Sequence, residues 1–288
     1  MKPIPILLRK IGNGLAFGGR FPLAQSLLRR AFRHAKGTYT VDDFDGDLHI
    51  DLRLSEHMQR RIFWMGYYNK NIVALLNHIL QSGMTVIDVG ANIGEITLVC
   101  AKRVGQTGKV IAFEPIDHIA DELQKNIERN HLRHVSVVRT GLSDTASSQL
   151  PIYASCGRES ARDENHGLAS LYGNYTRNRP LQFIDITTLD SHLAQHPTDR
   201  VDLIKVDIEG AELPFLRGAE HTLRTHRPRL IIEVQDETAS AAGYSASDVL
   251  DYLSGFGYRF HRIGRSGKLI PLTASTLSKY QDVLCTPT

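Results

Sequence analysis

Apolar and polar positions change period repeatedly along the chain, and each change marks an element. Short apolar runs at 85–89, 109–114, 135–140, 201–207 and 229–234 predict buried strands. Between them, apolar positions recur every three or four residues over 70–82, 94–104, 117–130 and 211–225, which predicts helices. YRFHRIG and YQDVLCT, near the end of the sequence, read as an antiparallel pair joined across a Gly/Ser turn. This alternation predicts an α/β fold, Rossmann-like and doubly wound, with a mainly parallel seven-stranded sheet covered by helices on both faces.

Two regions depart from that pattern. Between about 145 and 190, strand-like SQLPIYA (148–154) and LQFIDITTL (181–189) flank a polar, glycine-containing interior too long for a simple crossover, and predict an inserted β-hairpin arm. Upstream, VDDFDGDLHIDLR (41–53) alternates around Asp45–Gly46 and predicts a hairpin lying over the sheet edge. Before it, ILLRKIGNGLAFGG and FPLAQSLLRRAFRHAKG place apolar and basic residues at helical spacing, separated by Gly18, Gly19 and Pro22, and predict two short amphipathic helices. The chain thus divides into a basic helical arm with a hairpin (1–66) and one α/β domain (67–288).

The strand at 85–89 leads into VIDVGANIG, so Asp88, Gly90, Asn92 and Gly94 form a turn that feeds a helix N-terminus. A dinucleotide site offers G-x-G-x-x-G for a pyrophosphate. Here the spacing is D-x-G-x-N-x-G: the middle glycine is absent and a carboxylate precedes the turn. That suits a cofactor carrying an amine and a cation, and S-adenosylmethionine (SAM) carries both. The glycines are expected to let backbone approach the ligand closely. KVIAFEP (109–115) then ends the next strand in Glu114 and Pro115, placing Glu114 to accept hydrogen bonds from two ribose hydroxyls.

Together with VDLIKVDIEGAELPFLRGAEHTL (201–223) and RPRLIIEV (227–234), this turn resembles the FkbM-type SAM-dependent methyltransferases, over residues 67 to 235 or so. The most specific element is K-x-D-x-E-G-x-E at 205–212. The resemblance implies a class I methyltransferase fold and methylation of hydroxyl groups of sugars and natural products. By position it implies that Asp88, Gly90, Asn92 and Gly94 hold the methionine end of SAM, that Glu114 clamps the ribose, and that Asp144 in GLSD (141–144) lies near the adenine. Family members often carry Tyr-Glu before the first helix of the fold; this chain has Tyr67, Tyr68 and Asn69, so no carboxylate role is assigned there.

In VDLIKVDIEGAE, period-two geometry puts Lys205 and Asp207 on one face, with Asp207 at the carboxyl end of its strand and Glu209 in the following turn. A sugar hydroxyl is a weak nucleophile and needs a positioned base, for which Asp207 and Glu209 are the candidates and His166 the reserve. A rival reading uses Asp207, Glu209 and Glu233 as oxygen ligands for Mg²⁺ or Ca²⁺. A blander one has Glu209 and Glu212 capping the helix at 211–225 while Lys205 neutralises Asp207. Glu233 ends an otherwise apolar strand, so its charge should face the cleft or be paired.

Acceptor recognition is expected in NHGLASLYGNYTRNR (165–179), where Tyr172, Tyr175, Arg177 and Arg179 suit a polar, hydroxylated ligand; the competing reading is a solvated loop. The leading function is SAM-dependent O-methylation of a sugar hydroxyl in a glycan or glycolipid, as in polysaccharide biosynthesis. The alternatives are O-methylation of a polyketide or peptide natural product and, from another class, a non-catalytic SAM- or nucleotide-binding module.

Charge modifies this picture at one end only. Residues 1–41 hold eight of the 34 Lys and Arg and no acid, so the remaining 26 basic residues face 31 acidic ones and the overall +3 conceals a −5 remainder. Such an arm can bind an anionic membrane or a lipid-linked substrate, or pack on the catalytic domain or on a second subunit; packing is the favoured expectation. Monomer and homo-oligomer both fit the sequence. The arm has few interleaved aromatics and the cleft is acidic, which argues against a nucleic-acid partner. No apolar run reaches the length of about 18 residues that a membrane span needs, and the arginine-rich opening makes a poor secretory signal. Cys100, Cys156 and Cys285 are widely spaced, without C-x-x-C or zinc spacing, and predict a reducing, cytoplasmic compartment, with peripheral contact at the inner membrane surface as the variant.

Overall fold

The computed structural model describes residues 3–16, 22–154, 169–172, 180–273 and 276–288. The chain opens with helices α1 (Pro3–Ala16) and α2 (Pro22–Ala31), the hairpin β1 (Thr38–Phe44) and β2 (Leu48–Arg53), and helices α3 (His57–Met65) and α4 (Lys70–Ile79). The alternation follows as β3 (Thr85–Val89), α5 (Glu95–Val104), β4 (Lys109–Phe113), α6 (Asp117–Arg129) and β5 (Val135–Val138). The insertion supplies β6 (Gly141–Leu142), β7 (Ser147–Ala154), β8 (Ala169–Ser170) and β9 (Gln182–Thr187), and α7 (Leu189–Gln195) returns the chain to β10 (Leu203–Val206). Then come α8 (Glu212–Arg217), α9 (Glu220–His226), β11 (Arg229–Gln235), α10 (Asp236–Ala241), α11 (Ala246–Ser254), β12 (Tyr258–Ile263), β13 (Leu269–Leu272) and β14 (Tyr280–Pro287).

The main sheet runs β13-β12-β14-β11-β10-β3-β4-β5, parallel from β11 to β5 and antiparallel at β14, β12 and β13. All seven expected strands are present, and β12 pairs with β14 as expected. An eighth strand, β13, forms at the edge within the segment read as a turn; Pro271 is tolerated there because an edge strand can leave one side of its ladder unpaired. Strand order reverses between β3 and β10, the switch point where sheets of this kind bind ligands at their carboxyl ends.

Period-two alternation sorts the strand residues into two cores. Val86, Val110, Leu203 and Ile231 pack with α4, α5, α6 and the hairpin. Ile87, Ile111, Ile204 and Ile232 pack with α8, α9 and α11. Asp88, Lys205 and Glu233 are two residues on from Val86, Leu203 and Ile231, so they share the first face and follow it to the carboxyl end of the sheet.

Three placements differ from expectation. The β1–β2 hairpin is a separate sheet lying over α5 and α6, not over the main sheet edge. Side-chain amides explain this: Asn130 at the C-cap of α6 and Asn126 on α6 accept the His49 and Asp51 N–H groups at 2.7 and 2.8 Å, and Arg103 on α5 grips Asp45 at the hairpin turn. The helix expected over 211–225 is broken into α8 and α9 at Gly218, where a Cβ would lie 1.9 Å from the Ser143 carbonyl oxygen. The insertion is a four-stranded sheet, β6-β9-β7-β8, built around the expected β7–β9 pair. As for the basic arm, buried Arg9 donates to the Phe63 carbonyl at 2.7 Å and pairs with Asp43, while Phe32 packs on Trp64, so the arm rests on the hairpin and α3. Among the described residues no helix is long and apolar enough to cross a membrane.

Candidate active site

The turn after β3 and the end of β4 form one unit. Gly90 and Ala91 both donate to the Phe113 carbonyl, at 3.1 and 3.0 Å. Buried Glu114 accepts the Asn92 N–H at 2.9 Å on one oxygen and the Ile116 N–H at 3.0 Å on the other. Burial pushes its carboxyl up to about 7 against the pull of those two N–H groups. A carboxylate has about four acceptor positions, so Glu114 keeps capacity for two more donors such as ribose hydroxyls. Asn92 (φ 51°) turns the chain in the left-handed region that Asn tolerates, and its side chain accepts the Ile93 N–H at 2.8 Å. At Gly90 (φ 74°) a Cβ would lie 2.0 Å from the Asp207 carbonyl oxygen, and at Gly94 (φ 99°) 2.6 Å from Leu123 Cδ1. The glycines therefore answer close approach within the protein, where ligand approach had been the expected reason.

Asp88 has no exposed surface. Thr97 donates to it at 2.6 Å, and Lys205 Nζ lies 3.6 Å away while donating to the Gly90 carbonyl at 3.0 Å. Expected at the methionine end of the cofactor, Asp88 instead fixes the turn from beneath, because its oxygens face Thr97 and Lys205 within the protein. Lys205 Nζ is also 3.5 Å from Asp207. Burial alone would depress the ammonium, but the Asp207 and Asp88 carboxylates outweigh it and hold it above the usual lysine range.

Beside this turn, oxygens of Asp207, Glu209 and Glu233 all lie within 4.8 Å of one another, on half-buried side chains. Glu209 (φ 50°) and Gly210 (φ 101°) are successive left-handed residues, a strained conformation for Glu209 that aims its side chain off the turn. Burial, then the Asp207 and Glu212 charges, push Glu209 up to about 8. Glu233 is raised further, by burial and then by Asp207 and Glu209, and accepts the Tyr280 hydroxyl at 3.1 Å. Across the strand pair from Glu233, Asp282 is pushed up to about 6 by burial and by Asp207. Such a cluster retains protons at neutral pH and lowers its pKa values when a cation enters. Glu212 is structural: it accepts the Ile208 and Gly210 N–H groups and the Tyr244 hydroxyl, fixing the turn that carries Glu209. The Glu209 carboxylate itself makes no hydrogen bond among the described residues.

The insertion reaches this cluster where Ser170 donates to the Glu209 carbonyl at 2.7 Å and accepts the Tyr172 N–H at 3.0 Å, which places Tyr172 next to the Glu209 turn. The Pro115 carbonyl accepts from Gln182 of β9 at 3.4 Å. His166, Tyr175, Arg177 and Arg179 lie outside the described residues. Asp144 is exposed and accepts from Thr145 at 2.8 Å, with its backbone against Gly218 between α8 and α9. It follows the two-residue pairing of Gly141–Leu142 with Ile186–Thr187. Four groups that sequence reasoning missed join the site. Tyr68, pushed up to about 12 by burial and by Asp207, feels the acids' charges, with Arg61 stacked on its ring. Buried Glu95 accepts the Tyr68 and Asn69 N–H groups at 2.6 and 3.1 Å, tying that segment to the first turn of α5. Asp282 interrupts an apolar strand just as Glu233 does, a signal that was present in YQDVLCT.

Comparison with known proteins gives the same reading of the fold. The model described as Methyltransferase FkbM domain matches residues 88–260. AMB antimetabolite synthetase AmbE of Pseudomonas aeruginosa is 25% identical over 236 residues, which are 73% of this chain and 11% of that protein. Methyltransferase 1 of Beauveria bassiana is 29% identical over 167 residues, covering 54% of this chain and 67% of the relative. Hexuronic acid methyltransferase AglP of Haloferax volcanii is 25% identical over 189 residues, 64% of this chain and 67% of the relative. This chain therefore spans a small part of the synthetase and about two thirds of the other two. The crystal structure of an FkbM methyltransferase from Methylobacillus flagellatus KT superposes with a TM-score of 0.46 at 18% identity, over 79% of this chain and 52% of that one. Since the family model spans more than half of the chain, from the end of β3 into β12, the protein belongs to the FkbM methyltransferase family.

Proposed function

We propose that the protein transfers a methyl group from SAM to a hydroxyl of a sugar in a glycan or glycolipid. The observation that carries this reading is the convergence of Asp207, Glu209 and Glu233 beside the turn that Glu114 fixes. When bound, SAM supplies a methyl carbon on positive sulfur, open to in-line displacement by oxygen. Glu114 would hold the ribose and the 90–94 turn the methionine end. Asp207, balanced by Lys205, would supply fixed negative charge beside that turn. Glu209, unbonded and raised, takes the proton of the attacking hydroxyl. Tyr68, Tyr172 and Tyr280 offer rings and hydroxyls that suit a pyranose. A polyketide or peptide hydroxyl is the second acceptor class, and the likeness to an antimetabolite synthetase favours it.

Replacing Glu114 by Ala is expected to weaken SAM binding roughly 10- to 100-fold, the loss of one or two charge-assisted hydrogen bonds, as read by calorimetry. That variant is the blank for the deciding experiment, transfer of isotope-labelled methyl from SAM into a fractionated extract of the source cell. Base-stable label in the polysaccharide or glycolipid fraction is the expected result. Label only in small molecules selects the natural-product reading, and none above the blank leaves a binding module. Repeating the assay after exhaustive EDTA treatment tests whether the three carboxylates instead hold Mg²⁺ or Ca²⁺; surviving activity eliminates that role.

A further inference from the structure

We propose that Arg61 reads an anionic group on the acceptor, so that the preferred substrate carries a carboxylate or phosphate close to the hydroxyl that is methylated. The inference rests on the sugar-hydroxyl reading above and narrows it. Arg61, on α3, lies with its guanidinium carbon 5.3 Å from the centre of the Tyr68 ring. Its Nε is buried without a hydrogen-bond partner, and among the described residues the side chain has no ion pair. Arg61 as a whole is half-buried, and among the described residues the fully buried cations are held: Arg9 by Asp43 and the Phe63 carbonyl, Arg60 by the Leu54 carbonyl, and Lys205 by Gly90 and two aspartates. A buried donor left unmatched costs stability unless a partner arrives, and the partner that a guanidinium fork matches geometrically is an oxyanion.

The location gives the vacant fork its meaning. Tyr68, on which Arg61 stacks, is close enough to Asp207, Glu233 and Glu209 to feel their charges, so the guanidinium lies within electrostatic range of the acidic end of the cleft. That end is acidic and repels anions. A neutral acceptor needs no cation there, whereas an anionic one enters only in the orientation that points its charge at Arg61 and its hydroxyl at Glu209. Stacking on Tyr68 holds the fork in place, which lowers the entropy lost on binding.

The test uses the full chain saturated with S-adenosylhomocysteine and, as calorimetric probes, methyl β-D-glucoside, methyl β-D-glucuronide and glucose 6-phosphate. At least one anionic sugar is expected to bind the wild-type protein about 10-fold or more tightly than the neutral glucoside, and the tighter of the two identifies carboxylate or phosphate. Arg61→Gln should abolish that preference by lowering the anionic sugar's affinity to about that of the glucoside, with unchanged S-adenosylhomocysteine affinity reporting an intact fold. Arg61→Lys should retain part of the preference, because it keeps the charge and loses the fork. Equal binding of all three sugars to the wild type overturns the inference and leaves the sugar reading intact. A preference that survives Arg61→Gln overturns the role of Arg61. Binding of none of them overturns the sugar reading, and the inference with it.

Discussion

Replacing Glu209 by Gln is expected to lower kcat about 10²- to 10⁴-fold, the usual contribution of a positioned general base, while SAM affinity stays within about twofold. The argument starts from the backbone. Glu209 sits in the left-handed region, held there by a turn whose N–H groups Glu212 accepts, so the carboxylate is presented outward with no hydrogen bond of its own. Burial and the charge of Asp207 raise it to about 8, close to a working pH, where a base combines adequate basicity with adequate deprotonation. The sign of the pH dependence follows. The active form is the carboxylate, so wild-type turnover rises as pH passes upward through the Glu209 pKa, and the Gln variant loses that rise. Asp207→Asn is the control, because Asp207 is committed to Lys205 and its loss disturbs a buried charge balance as well as the site. Full loss in Asp207→Asn with retained turnover in Glu209→Gln would move the base to Asp207. Retained turnover in both variants would falsify general-base catalysis by this pair.

Much of that geometry is legible in the sequence, for a physical reason. Strand alternation and the D-x-G-x-N-x-G turn are local, so VIDVGANIG and KVIAFEP place Asp88, Gly90 and Glu114 at adjoining strand ends before any tertiary contact is known. Lys205 and Asp207 follow from period two in the same way. What sequence reasoning missed depends on which surfaces meet. Arg61 and Tyr68 come from a helix and a loop upstream of the α/β alternation, and only packing of that segment brings them to the acids. The hairpin sits on α5 and α6 because two asparagine amides, one on α6 and one at its C-cap, satisfy its free strand edge, a long-range match with no local signature. The break at Gly218 answers a close approach by Ser143. Glycine at 90 was legible as necessary, yet its cause is the Asp207 backbone.

Lys205→Met is expected to destabilise the fold by about 3–5 kcal/mol, the range for removing one partner of a buried ion pair, and to lower the melting temperature by roughly 10 °C. Methionine keeps most of the stem's packing, so the loss reports charge more than volume. In the variant the Asp88 carboxylate has Thr97 as its one hydrogen-bond donor and no exposed surface, and the Gly90 carbonyl loses the ammonium that anchors the turn. Asp88 is then a fully buried carboxylate without its counter-ion. Urea titrations of the variant and the wild type read the loss directly. A loss under about 1 kcal/mol would show that Lys205 does not balance Asp88. The double variant Lys205→Met with Asp88→Asn should recover most of the stability, because it removes the stranded charge along with its partner. It should not recover turnover, since Asp207 still lacks its counter-ion and the Gly90 carbonyl its anchor. Stability regained without activity would therefore separate the two tasks of one ammonium group, holding Asp88 in the core and setting the charge of the cleft above it.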